Sequence, residues 1–333
     1  MKMTHKQRVE NALHFKETDR IPYSLWMHFP NKDRHPRRLA ELTMAAQRKY
    51  DTDFIKFMPI GMYSTIDYGI DLDVFPGFLE APVAHKPFVE RVEDWDKVHY
   101  VSGTEGEYSI VLEAQRLLFA MMDERIPFVN TVFSPMTTAA KLSTPALLAE
   151  HVKQDPARVR RALEIITEAT IQFAKATVAL GADGLFFASQ LSTSNILDLP
   201  THDEFVRKYD LEILKAVEGR TWFNVLHLHG ANTYIREMQD YPVQAFNWHD
   251  RDDGPSMEEL RKVSDKVFIG GLSWGKNWLK KTNDEVVAEV REVVKRNEGG
   301  KGIILAPGCV IDPATPEERL ELVHRTVLET AKK

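Results

Sequence analysis

Apolar positions along the chain fall into two rhythms, short unbroken runs and longer stretches in which they recur every third or fourth residue. Thr4 is placed to cap a first helix whose Val9, Ala12 and Leu13 share one face, ending before Thr18-Asp19-Arg20. Residues 21–26 read as a first strand, 38–49 as a helix and 53–57 as a second strand stopped by Pro59. Residues 59–105, rich in Gly, Pro, Asp and aromatics with strand-like pieces such as 83–89, read as an excursion or lid. A helix over 108–122 leads to a third strand at 127–132, then helices at 144–153 and 156–180 and a fourth strand at 184–187. Helix 201–217 precedes a fifth strand at 223–228, and a short helix is expected at 233–238. The remaining strands, 243–246, 267–270 and 302–305, are separated by helices at 256–264 and 282–297, with a last helix from about Pro316.

Eight strands separated mostly by helices predict one domain over residues 1–333, a single (β/α)8 TIM barrel with an N-terminal helix and an excursion after strand two. An open doubly wound sheet is the other arrangement of such elements, but the chain has no glycine-rich dinucleotide or phosphate-loop fingerprint.

Composition narrows the partners. A net charge of -6 argues against nucleic acid, whose binding is driven by Lys and Arg. No stretch approaches the ~20 apolar residues that span a bilayer, and the first residues lack an apolar signal core, so no membrane and a cytoplasmic location are expected. A homodimer is the default expectation for a chain of this kind. Cys309 is the only cysteine, which excludes an intramolecular disulfide and a multi-cysteine zinc site while leaving a mixed His/Cys site open.

The chemistry-bearing residues sit at strand ends. On a strand, His227 and His229 point to the same side. His249 and Asp250 follow the sixth strand and Cys309 the eighth, and the loops after barrel strands form one face. Two imidazoles and a thiolate suit zinc, with His249 as a fourth ligand or as the acceptor that orients one of the others. The same histidines also suit a hydrogen-bonded pair at a strand end, and residues 248–253 also suit a solvated polar loop. His249, Asp250 and Tyr63 are the candidate catalytic groups. Trp26, His28, Phe57, Trp248 and Trp274, near strand ends, are candidates for a substrate pocket with apolar walls, to which Asp67 could also contribute.

Arg8-Val9-x-x-Ala12-Leu13, Asp19-Arg20-Ile21-Pro22, Gly181-Ala182-Asp183 and Leu305-Ala306-Pro307-Gly308-Cys309, followed by Thr315-Pro316-Glu317, resemble the uroporphyrinogen decarboxylase superfamily nearly end to end. The resemblance implies a (β/α)8 barrel. It also separates two branches. True decarboxylases carry an arginine-rich segment after strand one, where this chain has His28 to Arg34, and an aspartate in Phe-Ser-Asp-Ile where this chain has Pro59. The corrinoid methyltransferase branch binds zinc through His-x-Cys after strand five and Pro-Gly-Cys after strand eight. Here those stretches are His227-Leu228-His229 and Pro307-Gly308-Cys309, a substitution of His for Cys at position 229. The resemblance therefore implies zinc and a corrinoid on a partner protein, with a methyl group moving between that carrier and a small methylated substrate or thiol. The competing expectations are a metal-free decarboxylase or lyase acting on another carboxylate, and a barrel that binds a ligand without turnover.

Overall fold

A computed structural model describes residues 2–74, 76–77 and 81–331. Seven parallel strands, β1 (Ile55–Phe57), β4 (Phe128–Phe133), β5 (Gly184–Ser189), β6 (Val225–Leu228), β7 (Ala245–Asn247), β8 (Val267–Leu272) and β9 (Ile303–Pro307), pair in chain order as one curled sheet. Two short antiparallel strands, β2 (Leu72–Asp73) and β3 (Val83–Ala84), stand apart from it.

All residues of the seven strands are buried, the pattern of a parallel sheet covered on both faces. Leu185, Phe187, Leu226 and Leu305 pack beneath the helices, whereas their neighbours Phe186, Val225, Ile304 and Ala306 join Trp26, Phe54 and Val129 in a second cluster. His227 has the parity of Val225 and so belongs to that second side, with its ring stacked on Phe186 at 5.3 Å. The helix Pro156–Ala179 is the longest in the outer layer, presenting Val159, Leu163, Ile166 and Phe173 to the core.

The expected first strand carries no continuous ladder. Pro22 has no N–H to give, and pairing reduces to the parallel bridges Tyr23–Leu305 and Met27–Ile311. The segment is nonetheless bonded on both sides: Ser24 N donates to Leu305 O at 3.0 Å, and Asp53 N to Tyr23 O at 2.8 Å. Beneath it, the buried Asp53 carboxylate accepts from Arg8 Nη1 (3.1 Å), Arg20 Nη1 (2.5 Å) and Tyr23 N (3.0 Å), and meets His5 Nδ1 at 3.1 Å. The N-terminal helix His5–Leu13, closed by a Thr4/Gln7 capping box, is thereby tied to the strand that follows.

Three expectations change. No helix forms at 233–238: Thr233 bridges to Thr193 and residues 235–240 form turns, because Tyr234 N is committed to Ser192 O and its hydroxyl to Leu197 O. The stretch 201–217 is broken into Leu199–His202, a π-helical turn Asp203–Arg207 and Lys208–Ala216. A helix at Pro135–Leu142, opened by Pro135 in its first turn, was not expected. Residues 59–105 contain the short helix Tyr63–Ile66, the β2–β3 pair and a 3-10 helix at Val92–Lys97, so only Val83–Ala84 of the strand-like piece 83–89 is paired. Positions 75 and 78–80 of that stretch lie outside the described residues. Among the described residues no helix is long and apolar enough to cross a membrane.

Candidate metal centre

The register of the sheet assembles the site. His227, on β6, pairs directly with Asn247, the last residue of β7. Asn247 Nδ2 donates to Ile269 O (2.8 Å) and Pro307 O (3.1 Å), so its Oδ1 is left to accept. That oxygen lies 2.6 Å from His227 Nδ1, which places the proton there and leaves the Nε2 lone pair free. Cys309 Sγ is 3.7 Å from His227 Nε2 and 3.8 Å from Nδ1 of the half-buried His229.

His249, two residues past β7, completes the group: one donor atom from each of His227, His229, His249 and Cys309 lies within 4.8 Å of all the others. Its Nδ1 is 2.5 Å from Asp253 Oδ2, the position of a donated proton. In that tautomer the Gly230 N–H, 3.3 Å from the same nitrogen, has no lone pair to meet. His249 Nε2 is buried and has no hydrogen-bond partner among the described residues. Gly308 permits this closeness, since a Cβ there would come within 2.9 Å of Trp248 O and 3.1 Å of His249 Cα.

These donors fit zinc. Bond lengths of ~2.0 Å to nitrogen and ~2.3 Å to sulfur at a tetrahedral angle separate N and S by about 3.6 Å, close to the two observed sulfur–nitrogen distances. The unpartnered His249 Nε2 and the two anchored Nδ1 atoms are what a metal site requires of its histidines. Burial, with His249 next, holds His227 well below the ordinary histidine range, and the same two causes bring His229 down to about 4. Burial also lowers His249 and pushes the Cys309 thiol up to about 11. Without a cation the four groups are neutral, so a dication entering here displaces the thiol proton.

A cavity of about 110 Å³ adjoins His227 and Cys309. Trp26, Phe133 and Phe186 supply apolar wall, and His28, held by Asp33 at 2.9 Å, and Pro59 also line it. Two lysines that sequence reasoning passed over line it as well: Lys56 from β1 and Lys141 from the helix Pro135–Leu142. Burial brings Lys56 down to about 7 and Lys141 to about 8. Lys56 sits in a strand and reads as an ordinary polar interruption, whereas Lys141 belongs to the unexpected helix.

The other sequence candidates divide. Trp274 packs on His249 with ring centroids 4.4 Å apart, and its buried Nε1 has no partner among the described residues. Asp250 accepts from Gly271 N at 3.0 Å and is buried, fixing the β8 backbone. Tyr63 is a correction: it lies in the core against Tyr108, Phe133 and Phe173, with its hydroxyl on Thr131 O at 2.8 Å, because its short helix turns it inward. Phe57 is likewise buried against Phe128, and Trp248 against Phe268 with Nε1 on Pro255 O, so neither lines the cavity. Asp67 accepts from Glu107 N at 2.9 Å and is also outside the lining. Asn247 and Asp253 were not foreseen; their roles follow from strand register and from a loop turn that no local pattern announces.

Residues 4–330 match the family described as Uroporphyrinogen decarboxylase (URO-D). A methylcobamide:CoM methyltransferase, MtaA, from Methanosarcina barkeri is 27% identical over 214 residues, 63% of this chain and 60% of the relative, so the match spans less than two thirds of that protein. A uroporphyrinogen decarboxylase from Streptomyces avermitilis is 27% identical over 312 residues, 89% of this chain and 82% of the relative. Among solved structures, a methyltransferase from Methanosarcina mazei superposes with a TM-score of 0.83 at 21% identity, covering 98% of this chain and 99% of that one, a likeness of fold.

Proposed function

The chain belongs to the uroporphyrinogen decarboxylase family, and within it we propose that this is a zinc-dependent methyltransferase, moving a methyl group between a small methylated substrate or thiol and a corrinoid carried by a partner protein. The observation that carries the reading is the convergence of His227, His229, His249 and Cys309, with donor atoms within 4.8 Å of one another and two of the imidazoles anchored by Asn247 and Asp253. His227, His229 and Cys309 would hold zinc, with His249 as a fourth donor or giving way to substrate. Bound there, zinc supplies a Lewis acid that lowers the pKa of a substrate thiol or stabilises a departing heteroatom. The chain's own residues do the rest: Asn247 and Asp253 fix the ring orientations, Trp274 presents an N–H that has no partner among the described residues, and Trp26, Phe133 and Phe186 wall the adjoining cavity.

The contacts of residues 21–27 with β9 and with residues 53–54 support an eight-membered (β/α)8 closure in one domain, with the site on the face after the strands. The Methanosarcina barkeri relative's name supports a corrinoid carrier. The coverage of the Streptomyces avermitilis decarboxylase favours a second reading, a metal-free decarboxylase or lyase. Against it, Pro59 lines the cavity where the decarboxylase pattern has its aspartate.

Elemental analysis of protein purified without chelator or affinity metal tests the two. About one zinc per chain, lost in Cys309→Ala, together with demethylation of methylcobalamin by a thiol, is expected. Metal-free protein that still releases carbon dioxide from a carboxylate substrate would overturn the assignment.

A further inference from the structure

At the end of the strands opposite the metal centre, Phe268 of β8 and Ile303 of β9 pair side by side and floor an open groove of about 650 Å³. Met257, on the helix Met257–Arg261, and Phe15 supply the rest of its apolar lining. Phe15 lies just past the N-terminal helix with a φ of 54°, a left-handed conformation that bulky residues rarely take. Its ring rests on the backbone of Gly302, where a Cβ would come within 2.5 Å of it, yet 41% of its surface stays exposed. Gly300 admits no side chain either, since its Cβ would meet Lys16 C at 2.6 Å. A strained turn seated on a glycine-only loop thus holds an aromatic ring at the edge of the groove.

The rim is basic on an acidic chain. Arg261, Lys262, Arg296 and Lys301 line the groove against one carboxylate, Glu258, although the whole chain carries a net charge of -6. Of the four cations only Arg296 has an ion pair among the described residues, with Glu292 at 2.6 Å. Arg261 lies 3.7 Å over the Phe268 ring and 5.4 Å from that of Phe15, and its Nη atoms donate to the carbonyls of Ser264, Lys266, Lys301 and Gly302. Glu259, close enough to feel Lys262, is committed to the Ser256 cap. Lys262 and Lys301 are left as exposed charges beside an apolar floor.

We infer that this groove binds a small amphipathic organic anion, its aromatic or acyl body against Phe15, Met257, Phe268 and Ile303 and its acidic head toward Lys262 and Lys301. The volume falls in the ~300–1,000 Å³ range of small-molecule sites and admits about 20 heavy atoms at ~30 Å³ each. A protein partner would need ~800 Å² on each side, whereas the exposed large apolar side chains here are Phe15 and, next in sequence to Lys262, Val263. An apolar body takes the floor out of water, and an anionic head meets two ammonium groups at a rim wet enough to avoid a large desolvation cost. A neutral apolar molecule gains only the first, and an inorganic anion only the second, weakened by solvent. No histidine, cysteine or hydroxyl side chain lines the groove, and this end of a barrel carries stability rather than chemistry, so the ligand is held and not transformed.

The test titrates 8-anilinonaphthalene-1-sulfonate, and N-phenyl-1-naphthylamine, which has the same rings without the sulfonate, into the full chain and follows fluorescence. The sulfonate is expected to bind about tenfold more tightly than the amine, and decanoate but not decanol to displace it. The double substitution Lys262→Glu/Lys301→Glu is expected to erase that difference at unchanged melting temperature and zinc content, and Phe15→Ala to weaken both dyes. Binding in Cys309→Ala stays as in the parent. Equal affinity for the two dyes, a preference that survives the double substitution, or loss of binding in Cys309→Ala, which would put the dye at the metal centre, overturns the proposal. Sedimentation covers the other occupant: dimers that the double substitution disperses, with no dye bound by the parent, would make the groove a contact between copies and overturn it as well.

Discussion

Asn247 and His227 face each other across adjacent parallel strands, and because both amide hydrogens of Asn247 go to the carbonyls of Ile269 and Pro307, its oxygen can only accept the imidazole proton. The asparagine therefore determines which nitrogen of His227 is left for a metal.

Asn247→Ala removes that constraint without removing a donor from the metal cluster. Zinc affinity is expected to fall about 10- to 100-fold, the usual effect of losing a partner behind a ligand. Competition with a chromophoric chelator measures it, and unchanged affinity would show that ring orientation is set elsewhere.

Gly308→Ala also keeps every donor. Its Cβ would meet Trp248 O at 2.9 Å and His249 Cα at 3.1 Å, prising the Cys309 loop from the segment after β7 that carries His249. Overpacking of this kind costs about 1–3 kcal/mol. A lower melting temperature accompanied by weaker zinc binding is expected, with both readouts moving together.

Tyr63→Phe separates structure from chemistry. Its hydroxyl serves Thr131 O within an aromatic cluster and does not line the cavity, so losing it should cost about 1 kcal/mol of stability and leave turnover within twofold of the parent. A large fall in kcat at unchanged stability would restore Tyr63 to the reacting groups.

A pH dependence should come from His5, beside Asp53 just before β1, at the end of the strands opposite the metal centre. Burial opposes charge on His5, but hydrogen bonds to Asp51 and Asp53 outweigh it and hold the imidazole at about 9. A value raised above the ordinary 6.5 means that the stabilisation is complete below 6.5 and is lost as pH rises through 9. Denaturant melts between pH 6 and 10 should show the parent losing at most about 3 kcal/mol over this range, less to the extent that solvent screens the pair, and His5→Gln much less.

How much of this was legible beforehand depended on how each residue announces itself. Strand cores such as Val267–Leu272 and the helix Pro156–Ala179 carry unambiguous apolar periods, and the convergence of His227, His229, His249 and Cys309 followed from their places after strands. The helix Pro135–Leu142 was invisible for the opposite reason. Every residue in it except Lys141 is buried, so it has no polar face to set a helical rhythm, and Lys141 was missed with it. Tyr63 and Phe57 were misread because a large ring near a strand end looks the same whether it faces a pocket or the core. Asn247 is an ordinary strand residue until the register with β6 is known.

The Cys309 loop is held on both flanks, by Met27 through the bridge to Ile311 and by Leu272 O, which accepts from Gly308 N. Its thiol is 82 residues from His227 in sequence, and the strand that delivers it bridges to Tyr23, near the other end of the chain. During synthesis the three histidines emerge well before the sulfur, and the sulfur takes its place only when β9 docks between β8 and the segment around Tyr23. If the cluster holds a metal as proposed, the full donor set forms only once the segment around Tyr23 and strand β9 are joined.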